Sequence, residues 1–241
     1  MSISSAPLAG ILFDKDGTLV DLDLTWGRAG FDVMQRLAAG DASAFARLCD
    51  AMLYDLDARR FAPLSPLIAG SPDSYVHLWA AALGRPSDAA MLNELDAAFS
   101  DATFRWLAPL GQPEPVLKAL KARGLRLGLA TNDGEASARR QMAALGLEAH
   151  MDFIAGYDSG HGGKPHPGMV TAFAAEIGVE PGRVAMVGDS PLDLLAARAA
   201  GAIAVAVLSG PASRDELEPL ADHVIDGVEH LPALIDLPRL A

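Results

Sequence analysis

The chain has 241 residues, 51% of them hydrophobic and 21% charged, enough apolar material for one large domain or two small ones. With 19 Lys/Arg against 31 Asp/Glu, the net charge is −12, which argues against a sequence-independent grip on nucleic acid or an anionic membrane. Cys49 is the only cysteine, so an intrachain disulfide and multi-cysteine zinc sites are excluded.

In chain order, residues 1–10 carry no basic segment followed by an apolar run, and no later stretch reaches the ~18 apolar residues of a membrane span. A cytosolic location is expected. Residues 10–13 (Gly-Ile-Leu-Phe) form a short apolar run that ends at Asp14. From about 22 to 110 there is no convincing strand, only helical patterns broken by Pro/Gly around 62–72 and 84–86. Asp41 and Ser87 are the expected N-caps there. Within this stretch Phe45, Leu48, Cys49, Met52, Leu53 and Leu56 fall at helical spacing, which places the thiol in a small core.

Beyond the insert the texture changes. Apolar runs at 125–130, 152–155, 184–187, 203–208 and 223–225 read as strands buried on both faces. Helical segments at 114–123, 134–145, 167–177 and 191–200 lie between them, each followed by a glycine where a left-handed C-cap belongs. This is the pattern of a doubly wound, Rossmann-like parallel α/β sheet. The expected division is a core of residues 1–21 and 111–241, with an all-helical insert at 22–110.

Open α/β sheets bind ligands at the carboxyl ends of their strands. The polar residues there are Asp14, Lys15, Asp16, Gly17 and Thr18 after the first run, and Thr131, Asn132 and Asp133 after the second. Lys164 follows the third, and Gly188, Asp189, Ser190 and Asp193 the fourth. Asp14, Asp16, Asp189 and Asp193 offer hard oxygen ligands suited to Mg²⁺, and packing such acids together calls for a cation. Thr131, the main-chain N–H groups around Asn132, and Lys164 are donors suited to phosphate oxygens. Gly163-Lys164 fails as a phosphate-binding loop, because Asp158 stands in place of the leading glycine and Pro165 in place of Ser/Thr.

Phe13-Asp-Lys-Asp-Gly-Thr-Leu-Val resembles the first motif of the haloacid dehalogenase superfamily, DxDGT. Leu129-Ala-Thr-Asn resembles its second, Lys164-Pro165 its third, and Gly188-Asp-Ser-Pro-Leu-Asp193 its fourth, all in the family's order. The insert stands where the family's C1 caps lie. The resemblance implies that Asp14 is a nucleophile forming an aspartyl-phosphate. It implies that Asp16 is the general acid and then base, with its main-chain carbonyl on Mg²⁺. Thr131, Asn132 and Lys164 would bind the phosphoryl group, and Asp189 and Asp193 would complete the metal site. Asp16 and Thr18 favour phosphate esters over haloacids.

Lys15 departs from the family, which commonly has an apolar residue there. Strand alternation is expected to turn it away from both Asp14 and Asp16. The implied activity is hydrolysis of a small phosphorylated metabolite, in the style of phosphoglycolate phosphatases, by a monomer or homodimer. A β-phosphoglucomutase-like phosphotransferase and a non-enzymatic phospho-aspartate switch are the alternatives. All seven basic residues of the insert are arginines, and Arg59 or Arg60 is a candidate for gripping a substrate carboxylate. His161 and His166 are most simply structural or solvated.

Overall fold

The computed structural model describes residues 7–68 and 70–235. Residues 1–6, on which the expectation of no leader partly rests, lie outside the described residues. The chain divides into two compact units, one of residues 1–20 and 109–241 and one of residues 21–108.

The first unit is built on a fully parallel six-stranded sheet, in the order β5-β4-β1-β6-β7-β8. These strands are β1 (Gly10–Phe13), β4 (Arg126–Ala130), β5 (Phe153–Ala155), β6 (Val184–Gly188), β7 (Ile203–Val207) and β8 (His223–Ile225). They match the apolar runs because both faces are covered. Leu12, Ala130, Met186, Ala204 and Ala206 pack with the helices α7 (Gly168–Glu176) and α8 (Pro191–Ala200). Alternate residues Ile11, Phe13, Leu127, Leu129 and Val187 are equally buried on the opposite face. There α5 (Pro113–Ala122) packs on β4 and on α10 (Leu231–Ile235). Buried side chains of this size each contribute about 1.5–3 kcal/mol, which offsets the entropy of ordering the chain.

The remaining helices of this unit are α6 (Glu135–Ala144) and the short α9 (Arg214–Leu217). The glycines expected after the four interstrand helices all adopt positive φ, from 71° to 81° at positions 124, 146, 178 and 201. Gly10 and Gly128 serve packing instead, because a Cβ at either would come within 3.0 Å of the buried Phe173 ring.

Register places the strand ends. Phe13 lies opposite Leu129 of β4 and Val187 of β6. The order in which strands are added reverses at β1, with β4 and β5 on one side and β6 to β8 on the other. The residues after Phe13, Ala130 and Gly188 therefore emerge together at the switch point of the sheet.

The second unit holds α1 (Arg28–Ala38), α2 (Ala42–Ala51), α3 (Pro72–Leu83) and α4 (Ala89–Arg105). Its core centres on Trp26, Trp79 and Phe99, with ring centroids 5.2 Å apart for Trp26–Phe99 and 5.5 Å for Trp79–Phe99. Asp41 caps α2, accepting from the N–H groups of Ser43 and Ala44.

Three expectations need correction. The cap of α4 is Asp88, which accepts from the Met91 N–H, rather than Ser87. The unit is not all-helical, since β2 (Tyr54–Asp55) and β3 (Arg60–Phe61) form a two-stranded antiparallel ribbon. The apolar helical pattern around Cys49 stops early. Helix α2 ends at Ala51 and Leu53 takes φ +50°, so Cys49 and Met52 are buried while Leu53 and Leu56 are exposed. No helix of the described residues is long and apolar enough to cross a membrane.

Candidate active site

Asp14 leaves the end of β1 with its N–H donating to Val187 O at 2.8 Å. The chain then turns at once: the N–H groups of Leu19 and Val20 both return to Lys15 O, at 2.8 and 2.9 Å. Gly17 permits this turn with φ +81°. A second reason for glycine there is space, since a Cβ would lie 2.4 Å from Asp189 Oδ2. Gly210 leaves room on another side of the same carboxylate, where a Cβ would lie 1.7 Å from Oδ2. Ser209 ties the two glycine segments together by donating from Oγ to Gly17 O at 2.8 Å.

Asp14, Asp189 and Asp193 each present a carboxylate oxygen, all within 4.8 Å of one another and all buried. Lys164 Nζ reaches into this group, donating to Asp14 Oδ1 and, at 2.6 Å, to Asp193 Oδ1. Asp193 Oδ2 is used at the start of α8, where it accepts from Ser190 N at 3.1 Å and Ser190 Oγ at 2.6 Å in a capping box. Thr18 Oγ1 donates to Asp189 Oδ1 at 3.3 Å.

Burial pushes Asp14 up to about 7 against the pull of Lys164, with the charges of Asp193 and Asp16 adding to the rise. Asp189 is likewise raised well above the usual carboxylate range by burial and by Asp14 and Asp193. Burial alone would lower Lys164, but Asp14 and Asp193 outweigh it and hold the ammonium above its ordinary value. One lysine therefore does not balance three acids. All-oxygen donors, burial and the two-glycine cradle around Asp189 fit a hard divalent cation such as Mg²⁺. The carboxylate of Asp16 is not a member of this cluster; the contribution expected of it is the main-chain carbonyl.

Thr131 is buried at the end of β4, its Oγ1 accepting from Asp133 N at 3.1 Å, so its hydroxyl hydrogen can be given to an incoming oxygen. Asn132 serves Lys164: its Oδ1 accepts from Lys164 N at 2.8 Å and its Nδ2 donates to Lys164 O at 3.1 Å. That side chain ties the end of β4 to the lysine's main chain and leaves the expected phosphate contact of the main-chain N–H groups untouched. His166 Nδ1 lies 2.9 Å from His161 O and takes the Gly168 N–H at 3.1 Å, which shapes the loop before α7.

Lys15 was expected to turn away from both neighbouring acids. Its Nζ lies instead 3.1 Å from Asp16 Oδ2. The reason is the turn, which ends extended backbone at this residue, so two-residue alternation no longer applies. Lys15 is fully buried and also donates to Asp133 Oδ2 at 2.8 Å and Gln141 Oε1 at 2.6 Å. Burial opposes its charge, but Asp133 and Asp16 more than compensate and raise it.

Asp133 stands just before α6, and Ser137 and Gln141 follow it at four-residue steps within the helix, with Ser137 Oγ donating to Asp133 Oδ2 at 3.0 Å and Gln141 Nε2 to Ser137 Oγ at 3.2 Å. That i, i+4, i+8 polar row is visible in the sequence, and a buried lysine opposite it gives it a purpose.

In the second unit, Arg59 and Arg60 are exposed. Arg59 lies over the Phe31 ring at 3.7 Å, and Arg60 is a charge near Asp23. Other arginines of this unit are engaged in packing: Arg47 donates to Ala82 O at 2.7 Å, and Arg105 pairs with Asp32 at 3.1 Å.

The family model for haloacid dehalogenase-like hydrolases matches residues 8–201. The chain is 34% identical over 224 residues to a phosphoglycolate phosphatase of Rhodospirillum rubrum, covering 87% of this chain and 83% of that one. It is 30% identical to a plasmid phosphoglycolate phosphatase of Cupriavidus necator, covering 100% of this chain and 99% of that one. A solved hydrolase from Pseudomonas syringae superposes with a TM-score of 0.67 at 25% identity, covering 95% of this chain and 99% of the other. A parallel sheet with its acids, threonine and lysine gathered at one edge, and a family match over most of the chain, agree: the protein belongs to the haloacid dehalogenase-like hydrolases.

Proposed function

We propose that the protein is a Mg²⁺-dependent phosphatase that hydrolyses a small phosphate monoester, of phosphoglycolate type, through an aspartyl-phosphate. The observation that carries this is the buried carboxylate cluster of Asp14, Asp189 and Asp193, into which Lys164 donates, with Thr131 buried at the end of β4. The relatives named phosphoglycolate phosphatases support the substrate class.

Asp14 attacks phosphorus while the ester P–O bond breaks, and Asp16 gives its proton to the departing alkoxide. Asp16, now a carboxylate, takes a proton from water as the water oxygen attacks the phosphorus. The Asp14–phosphorus bond breaks, and inorganic phosphate leaves. Lys164 and Thr131 hold non-bridging oxygens, and Asn132 fixes the lysine through its main chain. Asp14, Asp189 and Asp193 with the Asp16 carbonyl would hold Mg²⁺, which when bound supplies the positive charge that lets a phosphate approach these acids. Residues 21–108 are assigned the part of the substrate-selecting cap.

A phosphate-release screen over small phosphate esters, with Mg²⁺ or EDTA, tests this reading. Multiple turnovers on 2-phosphoglycolate are expected with Mg²⁺, with little activity in EDTA. Isomerisation of a sugar phosphate without phosphate release would instead establish a mutase, and a single stoichiometric phosphorylation a switch. Arg59→Ala or Arg60→Ala is expected to raise KM for 2-phosphoglycolate about tenfold, as loss of a charge-assisted contact implies. KM for p-nitrophenyl phosphate, which lacks the carboxylate, stays the same. An unchanged KM for 2-phosphoglycolate in both variants would remove the arginines from the substrate site.

A further inference from the structure

Lys15 is a buried lysine for which the phosphatase chemistry above has no use. Its ammonium bridges two polypeptide segments. One is the turn carrying Asp16, through Asp16 Oδ2 at 3.1 Å. The other runs from the loop after β4 into α6, through Asp133 Oδ2 at 2.8 Å and Gln141 Oε1 at 2.6 Å. Asp133 is itself fixed from a second side by Ser137 and by Gly134 N, at 3.0 and 2.8 Å. The assembly is a rigid bracket standing on one face of a helix.

We infer that Lys15 is a positioning residue for Asp16, holding its carboxyl through Oδ2 in the orientation from which it exchanges a proton with the leaving group. The inference rests on the phosphatase reading and on Asp16 as its acid. Two details of the geometry support it. Asp133 sits closer to the ammonium than Asp16 does, and so balances its charge while Asp16 keeps an orienting hydrogen bond. Three acceptors, one for each ammonium hydrogen, also leave Nζ no freedom to swing, and the side chain is fully buried. General acid catalysis depends steeply on such placement, because a displaced donor loses the proton transfer without losing substrate binding.

The chemistry supplies a test that a merely structural role would not pass. An alkyl phosphate needs its leaving oxygen protonated, whereas p-nitrophenolate leaves without help. Lys15→Met is expected to lower kcat/KM for 2-phosphoglycolate about 10–100-fold, the usual cost of removing a supporting residue. For p-nitrophenyl phosphate kcat/KM is expected to change by less than about threefold, since its first step needs no acid. In an Asp16→Asn background, Lys15→Met is expected to cost nothing further on either ester.

Removing a buried cation can leave its acids uncompensated, so the Lys15→Met/Asp133→Asn double variant is measured in parallel. It removes charge and counter-charge together, and the same leaving-group pattern is expected. Equal losses on both esters, an added loss in the Asp16→Asn background, or failure of both variants to fold would each overturn the inference. Asp14→Asn in the same assays separates the two readings. Activity surviving in that variant refutes the aspartyl-phosphate mechanism, whereas equal losses in Lys15→Met with Asp14→Asn inactive refute only the role of Lys15.

Discussion

Replacing Asp14 by asparagine is expected to lower phosphate release by about 10⁴-fold or more, the scale seen when a nucleophile is removed. The amide is nearly isosteric but cannot form the acyl phosphate, so the loss falls on kcat. The protein should nevertheless stay folded. In the metal-free state the ionised form of Asp14 is the costly one, since burial pushes its pKa to about 7. A neutral side chain at pH 8 removes that cost, while Lys164 keeps its bond to Asp193. The melting temperature in EDTA at pH 8 is therefore expected to be no lower than that of the parent protein. Calorimetry and a phosphate-release assay on one preparation check both halves. Substantial remaining turnover would refute the nucleophile, and a large fall in melting temperature would refute the electrostatic account.

Removing Mg²⁺ is expected to have the second large effect, with a pH dependence that follows from the same carboxylates. Asp14 and Asp189 both hold protons more tightly in the folded chain than carboxylates do when unfolded. Where the folded state binds more protons, stability falls as pH rises. The metal-free protein is thus expected to lose stability between about pH 4, the unfolded carboxylate range, and the folded value for Asp14 of about 7. A bound divalent cation stabilises the ionised carboxylates and cancels that loss. At 100 times its dissociation constant a ligand adds about 2.7 kcal/mol, or roughly 5–10 °C for a unit of this size. That gain should be near zero at pH 5 and fully developed at pH 8. A melting temperature that ignores Mg²⁺ at pH 8 would sink the metal assignment, and activity in EDTA would do so independently.

Much of the first unit was legible because its physics is local. A strand covered on both faces must be apolar throughout, so 10–13 and 184–187 stand out without any alignment. A helix that ends in a left-handed turn selects glycine, as at Gly201. The acids were legible because each directly follows such a run, and strand ends in a parallel sheet share one edge. The rest depends on contacts between distant segments. One lysine after an apolar run looks solvated, and Asp133, Ser137 and Gln141 look like the wet face of a helix. Each is explained only by the other, across 118 to 126 positions. The Tyr54–Asp55 and Arg60–Phe61 ribbon is too short to impose a period on the sequence. Ser87 and Asp88 are adjacent and both competent caps, and local sequence does not choose between them; Asp88 takes the Met91 N–H.

The wide spacing of the partners also bears on how the chain matures. Asp14 meets Lys164 across 150 positions, Thr18 meets Asp189 across 171, and Gly17 meets Ser209 across 192. During synthesis the first strand thus emerges long before the strands that pair with it and before Lys164, the partner of Asp14. Those carboxylates remain hydrated until β6 and β7 arrive, and their desolvation falls late, when most of the sheet is available to offset it. A chain released before β6 would carry an exposed strand edge and no working centre.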